Sequence, residues 1–64
     1  MFDDKALKSL VGKTFGDAKN IVEYFGYKAR RLEPKSIVTM ELRNDRINLV
    51  VDPITNIVIR ASVG

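Results

Sequence analysis

The chain has no cysteine and no histidine. Without cysteine no disulfide framework can staple a small fold, and without either residue the usual zinc ligand sets are missing. The same absences remove the thiol and the imidazole on which the common acyl-transfer dyads depend. Long apolar runs are also lacking, and nothing approaches the ~20 residues that cross a bilayer. The start, Met1-Phe2-Asp3-Asp4-Lys5, has neither the basic opening nor the apolar core of a signal peptide. The expectation is a soluble chain without a membrane partner. Its location stays open: cytoplasmic if used from Met1, secreted if a leader has been trimmed.

What is present fits one small domain, residues 1–64. A chain of this size buries only about 60% of the surface that its unfolded form exposes. One well-packed apolar cluster must therefore supply the stability. The hydrophobic fraction of 45% suits a globular domain rather than a disordered one. A net charge of +3 is mild, although Lys28, Arg30, Arg31 and Lys35 fall close together. Such a cluster is most simply a solvated strand face. It lacks the interleaved exposed aromatics that stack on bases, so nucleic acid is not an expected partner.

Thr14 followed by Asp17 resembles the capping box that opens a helix. Phe15, Ala18, Ile21, Val22 and Phe25 then recur at helical spacing, with Lys19, Asn20 and Glu23 on the other side. This pattern predicts an amphipathic helix that ends at Gly26. Residues 1 to 12 read as a short lead-in, with Leu7, Leu10 and Val11 available to fold over a core. Tyr27 to Leu32 is a weakly patterned strand. Residues 46 to 51 are a better one, with Ile47, Leu49 and Val51 on one face. Asp52 to Asn56 predicts a turn around Pro53. Residues 57 to 62 form a last strand pairing antiparallel with 46 to 51. The predicted fold class is α+β, with one amphipathic helix packed on a small mixed β-sheet.

Catalysis is not expected. The carboxylates are scattered among caps and turns, and Gly12, Gly16, Gly26 and Gly64 do not make a phosphate-cradling loop. No cofactor or metal is implied. Interest falls instead on residues 33 to 45, where Ile37, Val38, Met40 and Leu42 crowd apolar side chains between Pro34 and Arg43-Asn44-Asp45-Arg46. By propensity this is a strand entering a hairpin turn. The competing reading is a long ordered surface loop, and loops of this length are usually functional.

The stretch Ser36-Ile37-Val38-Thr39-Met40-Glu41-Leu42-Arg43-Asn44-Asp45-Arg46 resembles the reactive-site loop of the potato inhibitor I family of serine protease inhibitors. The similarity also touches Leu10-Val11-Gly12-Lys13-Thr14, Asp17-Ala18-Lys19, Val51-Asp52, Asn56-Ile57 and Val63-Gly64. Asp45-Arg46-Ile47-Asn48 and Ala61-Ser62-Val63-Gly64 look closer still to a related bacterial and fungal group of elastase and subtilisin inhibitors. That resemblance implies a long exposed reactive-site loop at about residues 34–45, presented to a protease in extended, substrate-like form. Met40 and Glu41 would flank the reactive bond, with Ile37, Val38, Thr39 and Leu42 completing the contact.

An apolar Met40 would suit subtilisin-like, chymotrypsin-like or elastase-like enzymes, the implied partner being a serine endopeptidase with an apolar S1 pocket. Rigidity would come from Arg46, matching the family arginine that bonds side chains flanking the reactive bond, here Thr39 and Glu41. Asn48 stands where plant members place a second supporting arginine, and asparagine is common there in the microbial group. Arg43 is either a further support or an ordinary exposed side chain. The basic run 28 to 31 and Lys35 also depart from the plant pattern. The resulting expectation is a monomeric, non-enzymatic inhibitor. The alternative is a non-inhibitory interaction module that uses the same loop or the basic strand.

Overall fold

Asp3 starts a helix inside what the pattern alone leaves as a lead-in. Its carboxylate accepts the Ala6 N–H at 2.9 Å, which is how an N-cap side chain satisfies an orphan helix donor. Helix α1 runs Asp4–Leu10, with Asp4 in the first turn and Lys8 in the last, both matched to the helix dipole. Its Leu10 is fully buried. The computed structural model describes residues 2–35 and 43–64.

Helix α2, Phe15–Tyr24, follows the predicted stripe. Thr14 caps it, its hydroxyl oxygen accepting the Asp17 N–H at 3.2 Å. At the other end Gly26 N–H donates to Glu23 C=O and Tyr27 N–H donates to Val22 C=O. That bond pair needs its first donor residue in the left-handed conformation, and Gly26 adopts it with φ +84°. Phe2 packs edge-on against Phe25 and Tyr27, at centroid distances of 5.5 and 5.1 Å, fastening the N-terminal segment to this helix end.

Among the described residues three strands follow: β1 Lys28–Leu32, β2 Arg46–Val51 and β3 Val58–Val63. They form one sheet in the order β1-β2-β3, with β1 parallel and β3 antiparallel to the central β2. The architecture is α+β, two helices on a small mixed sheet. The register slips between Val50 and Val51, so that Val50 faces Arg60 and Val51 faces Val58, leaving Ile59 as the extra residue of a bulge.

Strand alternation sorts the side chains. Ile47, Leu49 and Val51 of β2 are fully buried and meet Leu10 of α1, Ala18 and Val22 of α2, Val58 of β3 and Phe2. Each fully buried aliphatic side chain of this kind contributes on the order of 1.5–3 kcal/mol, so this one cluster dominates the stability. The helices lie on this face. Arg46, Asn48 and Val50 of β2 point to the other, because successive side chains alternate.

Asn56 ties the periphery together. It sits at φ +62°, a conformation asparagine tolerates better than most residues. Its carbonyl accepts the Phe15 N–H at 2.9 Å, and its side-chain oxygen accepts from the Arg31 guanidinium. The same guanidinium lies over the Phe15 ring, 5.1 Å from the centroid, a favourable cation–π contact. Asp52 shapes the preceding turn by accepting the Ile54 N–H on its side chain at 2.8 Å.

Candidate functional site

The parallel pairing of β1 and β2 sets the problem that residues 33–45 must solve. Parallel neighbours begin at the same end of the sheet, so the chain leaving Leu32 must return the full strand length to reach Arg46. A strand of five residues measures roughly 17 Å at ~3.3 Å per residue. Helices often make such a return; both helices among the described residues precede β1 in the chain.

The described ends of this connection are anchored by its flanking strands. At the far end the Lys28 N–H of β1 donates to the Asp45 carbonyl at 2.8 Å. Arg43 forms a two-pronged contact with Asp45, Nε to Oδ1 at 3.1 Å and Nη2 to Oδ2 at 3.2 Å. This fork holds the Asp45 carboxyl below its ordinary range, chiefly through the Arg43 hydrogen bond. Arg43 is thus paired with its neighbour's carboxylate while about half exposed.

Arg46 opens β2 on the face away from the helices. Its Nε donates to the Gly64 carbonyl at 2.8 Å, and its own carbonyl accepts the Gly64 N–H at 3.0 Å. A half-buried guanidinium is thereby fixed from below by the end of β3. Asn48, next on that face, is only 7% exposed. Gly64 also packs on it: a Cβ at position 64 would stand 3.1 Å from Asn48 Nδ2, closer than ordinary contact. Glycine at this position lets the chain lie against both side chains. Sequence reasoning missed Gly64 as a partner of Arg46, since nothing local pairs residues so far apart before the β2–β3 register is known.

Of the residues singled out in sequence, Arg46, Asn48 and Arg43 lie within the described parts of the chain. The first two share a sheet face and the third stands at its entrance. Ile37, Val38, Thr39, Met40, Glu41 and Leu42 lie outside the described residues, as do the expected bonds from Arg46 to Thr39 and Glu41. Among the described residues no group of carboxylates gathers where a metal ion could sit. A shallow pocket of ≈ 340 Å3 lies beside Pro34, between Glu33 and Asp52. The Asp52 carboxylate there is already engaged by the Ile54 N–H.

No family model matches the chain, and no curated protein sequence does. Solved structures do. The crystal structure of bitter gourd trypsin inhibitor superposes with a TM-score of 0.77 at 30% identity, covering 88% of this chain and 85% of that one. The chain has the fold of a protease inhibitor. The elastase inhibitor AFUEI shares that fold, with a TM-score of 0.68 at 24% identity over 94% of this chain and 85% of its own. The match to an inhibitor fold spans most of both chains rather than a fragment.

Proposed function

We propose that this chain is a substrate-like inhibitor of serine endopeptidases of the potato inhibitor I type, offering Met40–Glu41 as the reactive bond. The observation that carries the reading is the likeness to bitter gourd trypsin inhibitor over most of both chains. The described geometry supports it physically. A bait segment inhibits rather than being digested only if it is already ordered, because ordering on binding subtracts from affinity. Order also keeps the new amine beside the acyl group after attack, so that religation competes with hydrolysis. Arg46, pinned by Gly64, and the Arg43–Asp45 fork are rigid polar groups at the return of the 33–45 connection.

Met40 at the primary specificity position suits an apolar pocket of the subtilisin, chymotrypsin or elastase kind. Trypsin, with a pocket that needs a cation, is expected to bind poorly despite the specificity named for the bitter gourd protein. The test is titration of subtilisin, chymotrypsin, elastase and trypsin with the purified protein. The expected result is stoichiometric inhibition of one or more of the first three, with slow cleavage confined to Met40–Glu41. Rapid digestion of the chain without inhibition would overturn the reading and leave a non-inhibitory interaction module in its place.

A further inference from the structure

Among the described residues, two buried side-chain atoms on the polar face of the sheet have no hydrogen-bond partner: Arg30 Nη1 and Asn48 Oδ1. One is a donor and the other an acceptor. Their residues stand directly opposite one another in the parallel register of β1 and β2. Neighbouring strands run about 4.8 Å apart, so the two side chains leave the sheet side by side on the same face. Buried polar groups are nearly always satisfied, and a matched donor and acceptor orphaned on facing residues point to each other.

The surroundings give this pair a purpose. Arg46 lies two residues before Asn48 on the same strand and face, and Lys28 faces Arg46 across the β1–β2 pair. The row therefore already carries cations at 28, 30 and 46. An arginine at 48 would stand beside Arg46 and opposite Arg30, with like charges crowded at a half-buried site. Asparagine there removes the repulsion and supplies an acceptor opposite Arg30.

We propose that Arg30 is a positioning residue of this face, supplying from β1 a guanidinium beside that of Arg46 on β2. Its Nη1 and Asn48 Oδ1 act in solution as one hydrogen-bonded unit. The purpose assigned to the pair rests on the inhibitor reading, whereas the pairing itself does not.

The test compares Arg30→Asn, Asn48→Arg and the transposed double variant R30N/N48R with the parent protein. The readout is the rate at which a metalloprotease that cuts before bulky apolar residues cleaves within residues 36–42, well below the thermal midpoint. Loss of one charge-assisted bond is expected to speed cleavage roughly tenfold or more in R30N, and N48R is expected to be cut faster as well. The transposed variant is expected to return close to the parent rate. A merely structural role for Arg30 would not be rescued by moving the charge to the neighbouring strand. An unchanged rate in R30N, or a transposed variant cut as fast as R30N, overturns the proposal.

A second measurement guards against variants that fail to fold. In the parent protein the Arg30 guanidinium should give separate, slowly averaging Nη signals by NMR, and Asn48→Ala should collapse them. Averaged signals in the parent overturn the pairing. Because the metalloprotease assay needs no inhibition, rescue by transposition in a chain that inhibits no serine protease would sink the proposed function and keep the Arg30 assignment. Inhibition by the parent without rescue would do the reverse.

Discussion

Arg46 and Gly64 hold one another twice, the Gly64 N–H donating to the Arg46 carbonyl and the Arg46 Nε donating to the Gly64 carbonyl. The second of these bonds is charge-assisted and half-buried, which makes it stronger than a neutral surface bond. It converts a long, rotamer-rich side chain into a fixed post at the start of the central strand.

Truncation of that post follows as the first prediction. Arg46→Ala is expected to cost roughly 1.5–3 kcal/mol, the range for hydrogen bonds to charged groups. Urea denaturation reads this as a lower midpoint. The same variant should become a better substrate, cut at Met40–Glu41 faster than the parent by any enzyme it still binds. Equal cleavage rates for variant and parent would refute the supporting role.

Specificity supplies the second. Met40→Lys presents a cation where the parent presents a thioether, so inhibition should shift from chymotrypsin-like toward trypsin-like enzymes. Inhibition constants against both enzymes, measured side by side, decide it. A variant with the parent's preference would place the reactive bond elsewhere in the chain.

Acid dependence can be read at Asp45. The Arg43 fork lowers its pKa on folding, so the folded chain binds that proton less tightly than the unfolded one. The fork's contribution is complete above the unfolded carboxylate pKa and is lost as pH falls through the lowered folded value. Arg43→Ala should raise the Asp45 pKa toward the ordinary carboxylate value, followed by NMR titration of its carboxyl carbon. A titration curve that does not move would show that the fork is not populated in solution.

Core truncation is the fourth. Leu49 is fully buried at the centre of the sheet, and Leu49→Ala is expected to cost about 2–5 kcal/mol. Small domains hold only about 5–15 kcal/mol in total, so this change should remove a large share of the stability. Denaturant unfolding with an unchanged slope and a much lower midpoint is the expected signature. A loss below 1 kcal/mol, on the order of an exposed substitution, would contradict the packing described for this strand.

Much of this architecture could be read from residue pattern. The stripe from Phe15 to Val22 and the alternation through Ile47, Leu49 and Val51 are local signals, and α2 and β2 appear where those signals put them. Helix α1 was harder to see, because a helix of seven residues is marginal by itself and exists through its packing rather than its propensity. Its Asp3 cap and the Leu7, Leu10, Val11 spacing were nevertheless present to be used. The links from Gly64 to Arg46 and from Asn56 to Arg31 were not legible. Each joins residues far apart in the chain, and only the folded sheet and the turn before β3 bring them together.

The parallel β1–β2 pair has a further result for a chain cut once between its two strands. One piece would keep α1, α2 and β1, and the other β2 and β3. Neither could bury its apolar side chains unaided, because Leu10, Ala18 and Val22 belong to the first while Ile47, Leu49, Val51 and Val58 belong to the second. The nicked molecule would therefore persist as a two-chain complex, its halves complementing each other across the whole core. Peptides corresponding to the two pieces, mixed in solution, should fold only together.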